Sequence, residues 1–481
     1  MNMCLRFFYI VLSFIVYLSS SFVEASETLD FGTAGVRALS IEKERDLGTY
    51  FMTIARSKLP IIYDPVLEKY LSNLVSRLAT NAQGVHYPFE SFLVEDETIN
   101  AAAFFGGKIM VHTGLFLVTK TESELASVLA HEMTHITQRH LARNMESMQD
   151  VQNLGLVGVL GGIILSIINP ALGMATVSAS ISGVNQSSIN YTRTHEYEAD
   201  RLGIELLYDS YFDPNGMASM MRNLVKLGEK INPSFEMLMT HPLTEKRIAE
   251  AENRIRFFKE RRYYESIDFQ FAKARVEVRF SKISAKYNLS EANNRLKHNS
   301  KDYGALYKKV LALIELKDFK DAAQFLDILE EDFPRNLFVI DTKSDILIGL
   351  KKYDEAIEYL SNLRQVLENN QVVLMNLAVA YISKKQYASA ERILRRVIRD
   401  EISVPANELL LDVYKKEKDV CKMYQVNTQI FEYKGQWDLA LNNAKQAEKK
   451  CTEKNTILKM RAQMGRIVLE KDFYEKLIGD M

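Results

Sequence analysis

Two histidines, His131 and His135, stand four residues apart and enclose a glutamate, Glu132. The residues from Glu122 to Ala130 are apolar or helix-forming, which predicts a helix that carries all three side chains. Residues four apart on a helix share one face, so both imidazoles can point at one metal ion. The pattern favours zinc, with Glu132 placed to take a proton from an attacking water molecule. A helix with two unrelated surface histidines is the alternative that this segment alone leaves open.

A catalytic zinc site needs a third protein ligand and an open position for water. The segment His195 to Asp200, HEYEAD, opens another predicted helix. Glu196 and Asp200 lie four residues apart and can both face the first helix, Glu196 as the ligand and Asp200 as the residue that fixes a ligand histidine. Glu198 points to another face and is expected to be an exposed charge. The prediction is one Zn2+ per chain, held by the two histidines and Glu196. For the second segment, an ordinary amphipathic helix with surface carboxylates is the alternative.

Composition sets limits on the rest of the chain. Its 481 residues exceed one ordinary core and suggest about three domains. Hydrophobic residues make up 47% and charged residues 26%, as in globular proteins. A formal net charge of −1 argues against nucleic-acid binding. Only 21 glycines and 9 prolines are present, which favours long helices.

The first residues have the features of an export signal. One positive charge in Met1 to Arg6 is followed by an apolar run, Phe7 to Leu18, and then by small residues around Val23 and Ala25. We predict that residues 1–25 are a cleaved signal peptide and that the mature protein is exported. An uncleaved membrane anchor is the alternative, but the apolar run is shorter than the ~20 residues that span a bilayer.

A small sheet is predicted between helices and the His131 helix. Ser40 to Ala82 reads as two helices broken near Pro60. Short strands are predicted at Phe89 to Val94 and at Lys108 to His112. Between them, Asn100 to Gly107 ends in two glycines that suit a tight turn.

A long uncharged segment follows, from Val151 to Thr192. Its part from Leu154 to Ile168 is apolar and glycine-rich, and Asn169-Pro170 interrupts it. We interpret the segment as a mobile helical lid or loop over the active site. Re-entrant membrane contact is the alternative.

The C-terminal half is predicted to be all-helical, and it contains a repeat. Aromatic residues recur every 34 residues, and so do alanines three positions later, namely Phe319, Tyr353 and Tyr387 with Ala322, Ala356 and Ala390. This is the period of the tetratricopeptide repeat, in which small alanines let paired helices approach. Trp437 to Ala440 looks like a further unit, displaced by an irregular insertion around Val404 to Gly435. A generic helical bundle is the alternative.

Cys421 and Cys451 both remain after the predicted cleavage. An oxidising compartment would let them pair, but the sequence does not show whether their β-carbons face each other. The disulfide therefore stays open at this point.

In four stretches the sequence resembles the gluzincin peptidases, and specifically their soluble, exported branch, a group that includes HtpX and the CAAX prenyl protease. The stretches are Asn100 to Gly107, His131 to His140, His195 to Gly203 and Thr240 to Leu243. The family pattern HExxH followed by ExxAD falls on His131, Glu132, His135, Glu196 and Asp200 without a gap.

The resemblance implies further properties. His241 is similar to a histidine that can take the fourth zinc position and hold the enzyme closed; a histidine that caps a helix before Pro242 is the alternative. The strand Gly106 to Val111 becomes a candidate edge on which an extended substrate adds. The implied clients are unfolded or misassembled outer-membrane β-barrel proteins in the periplasm, the implied partner is their assembly machinery, and peripheral membrane contact stays open.

Together these features predict a mainly α protein of two parts. Residues 26–262 would form a zincin-type metallopeptidase domain of helices plus a small β-sheet, and residues 263–481 an all-α tetratricopeptide-repeat solenoid that docks clients or partners. The leading hypothesis is a zinc endopeptidase that degrades misassembled exported proteins. A non-proteolytic chaperone or scaffold for outer-membrane protein assembly is the second hypothesis. A membrane-embedded protease that uses Leu154 to Ile168 is the third.

Overall fold

The computed structural model describes residues 39–149, 186–228, 241–400 and 403–479. The predicted signal peptide and the apolar run from Leu154 to Ile168 lie outside these ranges. Within them, every helix is too short or too polar to cross a lipid bilayer.

The N-terminal part combines helices with one small sheet. Its helices are α1 (Ile41–Lys58), α2 (Pro65–Ala79), α3 (Thr113–Val118), α4 (Glu122–Thr137), α5 (His140–Gln149), α6 (Gln186–Asp209), α7 (Asn215–Gly228) and α8 (Glu245–Ile255). Its strands are β1 (Ile61–Ile62), β2 (Glu90–Val94), β3 (Ala101–Phe104) and β4 (Lys108–His112).

The sheet has the order β1-β2-β4-β3, which corrects one expectation. The strand predicted as the free edge is β4, and it pairs with β2 on one side and with β3 on the other. The edges are instead β1 and β3, and β3 contains a run of alanines that had been predicted as part of a turn. Gly106 and Gly107 adopt φ angles of 67° and 78°, which reverse the chain and fold β3 back along β4. A Cβ on Gly107 would overlap the carbonyl of Pro88.

The predicted metal helix is α4, and its start and end are both fixed by side chains. Thr121 caps it, since its side chain accepts a hydrogen bond from the Glu124 backbone N–H. The neighbouring helix α6 passes close to α4 at Gly203, where an added Cβ would lie 3.4 Å from the His131 backbone nitrogen, in ordinary contact. After the last turn Arg139 adopts φ 53°, and its buried guanidinium bonds Glu44 through Nε at 2.9 Å. This turn brings the next residue, His140, back toward α4.

The C-terminal part is built from helices alone within the described residues. Two helices, α9 (Ile267–Arg279) and α10 (Ala285–His298), precede five helix pairs. The pairs are α11 (Tyr303–Glu315) with α12 (Phe319–Asp332), α13 (Leu337–Gly349) with α14 (Tyr353–Val366), α15 (Gln371–Ser383) with α16 (Tyr387–Asp400), α17 (Val404–Glu417) with α18 (Val420–Tyr433), and α19 (Trp437–Lys450) with α20 (Lys454–Gly479).

The helix pairs follow the predicted 34-residue period. The three repeated alanines are fully buried. A further column appears in the turns, where Lys317, Lys351 and Lys385 all have a left-handed backbone with φ of 65°, 61° and 64°. The irregular insertion predicted after Val404 is wrong, because α17 and α18 form a regular pair. This pair lacks the repeated aromatic residue, because Cys421 occupies the position where the earlier units have one.

The two parts share one hydrophobic core, which contains residues from Ile62 to Val372. Arg275 on α9 links them in the interior. Its Nε lies 2.7 Å from Asp64 before α2, and its Nη2 lies 2.7 Å from Asp341 on α13. A domain boundary at residue 262 stays a prediction, since the core continues past it.

The end of the chain returns to its beginning. The ring centroids of Tyr474 on α20 and Tyr50 on α1 lie 5.2 Å apart. Gly435, in the turn before α19, lies against Thr53 on α1. A disulfide joins Cys421 to Cys451, with their Cα atoms 5.0 Å apart. The sequence alone left this pairing open. The disulfide ties α18 to the end of α19.

Candidate metal centre

Four side chains converge between α4, α6 and the residue that leads into α8. His131, His135, Glu196 and His241 each offer one ligand atom, and these atoms all lie within 4.8 Å of one another. The Nε2 atoms of His131 and His135 are 3.0 Å apart, as the four-residue helical spacing predicts. The structure thus brings together every residue that the sequence singled out as a metal ligand.

Glu196 completes the set from the second helix. Its Oε2 lies 3.4 Å from His131 Nε2, and its Oε1 lies 3.5 Å from His135 Nε2. Only 4% of Glu196 is exposed. A carboxylate so buried needs a positive partner, and both imidazoles face it.

Asp200 lies behind His131, on the side away from the cluster. Its Oδ1 is 3.1 Å from His131 Nδ1, so it can accept that N–H and orient the ring. Arg247 holds Asp200 in turn with two bonds, from Nε at 2.7 Å and from Nη2 at 2.8 Å. It also reaches Glu196, with Nη1 2.9 Å from Oε2. Arg247 was not predicted, since its only signal in the sequence is a cation six residues after His241.

Glu132 lies beside the cluster and is 1% exposed. Its Oε2 accepts a hydrogen bond of 2.9 Å from the Ala103 backbone N–H on the edge strand β3. Its Oε1 has no hydrogen-bond partner among the described residues and faces His241 Nε2 at 3.5 Å. Burial raises the pKa of Glu132, and the positive charges of protonated His241 and His131 only partly offset this.

His241 closes the fourth side of the cluster. Its Nδ1 lies 3.0 Å from Glu196 Oε1 and 3.3 Å from His131 Nε2. The residue that caps α8 is Thr244, whose side chain accepts from the Arg247 N–H, so the helix-cap alternative for His241 is wrong.

Glu198 is not the exposed charge that its position predicted. Its Oε2 lies 3.0 Å from His140 Nε2 and 3.1 Å from Arg143 Nη1, and three quarters of its side chain is buried. The hydrogen bond from His140 is the largest cause that lowers the pKa of Glu198, to about 2. The spacing of residues on α6 could not predict these two partners of Glu198, because both belong to α5.

Comparison with known proteins adds independent evidence. The model of peptidase family M48 matches residues 65–255, and a tetratricopeptide-repeat model matches residues 347–401. The Beta-barrel assembly-enhancing protease of Yersinia pestis is 38% identical over 368 residues, 76% of each chain. The protein of the same name from Escherichia coli K12 is 37% identical over 79% of this chain and 78% of its own. The chain belongs to peptidase family M48.

A further relative shares less of the chain. Metalloprotease LoiP of Escherichia coli K12 is 26% identical over 50% of this chain and 87% of its own. The resemblance to metallopeptidases and the repeat region are both confirmed, and this M48 member is a zinc metallopeptidase.

The cluster suits the zinc of the M48 family. Three imidazole nitrogens and one carboxylate oxygen form a donor set that zinc prefers. Burial alone would lower the pKa of His131, but hydrogen bonds to Asp200 and Glu196 raise it to about 10. Burial raises the pKa of Glu196, but the His241 charge and the imidazole hydrogen bonds lower it overall. The site therefore calls for positive charge, which a divalent cation supplies in place of protons.

An apolar pocket adjoins the cluster of this M48 peptidase. His131, His241 and Asp200 form one wall of it. The other walls are apolar side chains of α4, α7 and the loop before α8, namely Val128, Met217, Met220, Met221, Leu224 and Leu243. Methionines can adapt to different shapes, so the pocket suits apolar side chains of more than one kind.

Proposed function

We propose that this M48 peptidase is a periplasmic endopeptidase that degrades misassembled exported proteins, with stalled outer-membrane β-barrel proteins as its main clients. The observation that carries the hydrolytic part is the buried carboxylate of Glu132 beside His131, His135 and Glu196. The names of the relatives and the predicted signal peptide support the compartment and the clients.

The proposed chemistry divides among few residues. His131, His135 and Glu196 would hold the zinc ion, which when bound polarises a peptide carbonyl and makes water more acidic. Glu132 accepts the proton of the attacking water and passes it to the leaving amine. Burial raises the pKa of Glu132, which favours the step in which the carboxylate takes up the proton of the water molecule. Asp200 keeps the His131 ring in position.

An extended substrate would add to the edge of β3. The His112 N–H donates to the Asn100 carbonyl across the β3–β4 pair, at 3.0 Å. Because backbone bonds alternate in antiparallel pairs, Ala102 also faces β4, whereas Ala101 and Ala103 direct theirs away from it. The Ala103 N–H bonds Glu132 at 2.9 Å, and this contact supports the proposal because it sets the β3 edge beside the proposed base. Pairing through the backbone suits a protease of unfolded clients.

His241 would regulate access to the site. It lies against Glu196, His131 and Glu132 at once, so a substrate carbonyl and a water molecule need the space that its ring takes. We propose that His241 leaves this position when a client binds. The repeat helices would dock the client or the β-barrel assembly machinery.

Replacing the base tests the hydrolytic proposal. Glu132→Gln keeps shape and volume but cannot accept the proton, so we expect cleavage of an unfolded outer-membrane protein to be abolished. Zinc content and the thermal midpoint of unfolding should stay at their wild-type values. Glu122→Gln, at the start of the same helix, is the matched control and should cleave normally. Proteolysis that survives in Glu132→Gln would refute the assignment.

A chaperone or scaffold role is the second candidate, and His241 favours it because the ring fills the site in this structure. The two roles can be separated with the same variant. If Glu132→Gln restores outer-membrane protein assembly in cells that lack the wild-type chain, the role without proteolysis is supported. If only the wild type does so, proteolysis carries the function.

A further inference from the structure

His140 is a buried histidine that the proposed chemistry does not use. It begins α5, immediately after the left-handed turn at Arg139, and 2% of it is exposed. Its Nδ1 lies 2.8 Å from Nδ1 of His135, on the side of that ring that faces away from the cluster. Its Nε2 lies 3.0 Å from the Glu198 carboxylate. His140 thus stands between a proposed zinc ligand and a charge.

These contacts determine which ring nitrogens of His140 and His135 carry a proton. A carboxylate only accepts hydrogen bonds, so His140 must carry its proton on Nε2, facing Glu198. The Nδ1 of a neutral His140 is then an acceptor. The bond between the two Nδ1 atoms therefore requires the N–H of His135, which leaves the Nε2 lone pair of His135 directed at the cluster.

The arrangement matches the one behind the other histidine. His131 Nδ1 faces Asp200, which Arg247 holds, and His135 Nδ1 faces His140, which Glu198 holds. Three further contacts keep His140 in place.

One of these contacts is direct, since the ring of His195 stacks on His140 with centroids 4.1 Å apart and planes 5° apart. The second acts through Glu198, the acceptor of the His140 N–H, which Arg143 binds at 3.1 Å. The third is the Arg139 turn, which the ion pair with Glu44 anchors.

We propose that His140 is a positioning residue for the metal centre, and that Glu198 acts through it by selecting its tautomer. This inference rests on the proposed zinc ligands. Its effect is to hold the His135 ring with the correct nitrogen toward the ion before the ion arrives. Partners of this kind typically change metal affinity by about 10- to 100-fold when they are removed.

Zinc affinity of the full-length chain, measured by competition with a chromophoric chelator, tests the proposal. His140→Phe keeps the ring that stacks on His195 but cannot accept a hydrogen bond, and it should weaken zinc binding about 10- to 100-fold. Glu198→Gln should weaken it less, since an amide can still accept from His140 in one of its two orientations. Glu205→Gln, also on α6 and in an ion pair, is the matched control and should bind zinc normally.

The double variant separates positioning from general packing. If Glu198 acts through His140, adding Glu198→Gln to His140→Phe should cause no further loss of zinc affinity, whereas independent structural effects would add. In 15N spectra of histidine-labelled protein without metal, the Nδ1–H form of His135 should dominate in the wild type and lose that preference in His140→Phe. Circular dichroism of each metal-free variant checks that it is folded.

The outcomes distinguish this inference from the proposed function. If folded His140→Phe binds zinc as tightly as the wild type, the positioning role is overturned while the hydrolytic proposal stands. If additive losses are found, Glu198 does not act through His140. A wild type that binds zinc, loses affinity in His140→Phe and yet cleaves no client would refute the proposed function alone.

Discussion

At the scale of single residues, His241 is the clearest candidate for a regulatory group. It contacts a proposed ligand and the proposed base, and it follows directly on residues outside the described ranges. His241 contacts Glu196 and Glu132, which a bound substrate would also approach. The His241 ring therefore competes with the substrate for the site.

We therefore expect His241→Ala to raise kcat/KM several-fold on an unfolded protein substrate, because the ring no longer competes for the site. Steady-state cleavage of a fluorogenic unfolded substrate measures it. His298→Ala, the same change on an exposed histidine of α10, is the control and should have no effect. Unchanged or reduced cleavage in His241→Ala would show that His241 does not restrain the enzyme.

The residues of the site differ in how far the sequence could predict them. His131 and His135 belong to one helix, and so do Glu196 and Asp200, so a spacing of four residues was enough. Arg247 and His140 gain their roles only from contacts between helices that no local spacing encodes. Glu198 was misjudged for the same reason, since its own helix does not show that α5 lies against it.

At the scale of elements, the edge strand β3 was the main surprise. Alanine favours strands weakly, so Ala101 to Ala103 gives no strand signal, and the pairing arises from the glycine turn and from β4. Both strands that the sequence predicted, β2 and β4, carry β-branched and large apolar residues, and both are central in the sheet. Propensity located the sheet but not its edge.

Ala103→Pro tests the role of this edge. Proline removes the outward N–H that bonds Glu132, while the bonds of Ala102 to β4 remain. The Ala103 N–H bonds Glu132 here and would be needed by an added substrate strand, so we expect kcat/KM to fall about tenfold. The lost bond to Glu132 should lower the free energy of unfolding by about 0.5–1.5 kcal/mol. Ala103→Val keeps the N–H and serves as the control. Equal activity of the proline variant and the control would argue against substrate pairing on β3.

The contact of α9 with both parts of the molecule gives another prediction. Arg275 is 2% exposed, and its single positive charge pairs with both Asp64 and Asp341. Arg275→Met fills the space but removes the cation that pairs directly with both buried carboxylates, so we expect a loss of about 3–5 kcal/mol in the free energy of unfolding. Urea unfolding followed by circular dichroism measures it. Arg279→Met, at the half-buried pair with Asp345, should cost clearly less, and equal losses would contradict the role given to Arg275.

At the scale of the whole molecule, the repeat period predicted the arm, which is the series of repeat helices from α11 to α20. It did not predict that the last of these helices packs against α1. Columns of alanine and aromatic residues identified three units, and the fourth escaped because Cys421 and Tyr424 occupy those columns. The return of α20 to α1 had no sequence signal, since it depends on the summed rotation of five helix pairs. Leu477 of α20 even joins the small apolar cluster of Leu39 and Leu47.

Gly435 lies at the contact that closes the helical repeat region onto α1. It adopts φ 63° in the turn before α19, and a Cβ there would overlap the Thr53 methyl group on α1. We therefore expect Gly435→Ala to separate α19 and α20 from α1. Hydrogen exchange should become faster in Tyr50 to Thr53 and around Tyr474, with the exchange of α11 to α16 unchanged.

A second substitution separates the clash from backbone strain in the turn. Thr53→Ser removes the methyl group but keeps the hydroxyl that donates to the Thr49 carbonyl at 3.0 Å. If the methyl contact is the cause, Thr53→Ser in the Gly435→Ala background should restore slow exchange, since alanine alone in a left-handed turn costs only about 1–2 kcal/mol. Slow exchange in Gly435→Ala itself would mean that the arm tolerates the added carbon, and that the ring of contacts through Tyr474 is held by other residues.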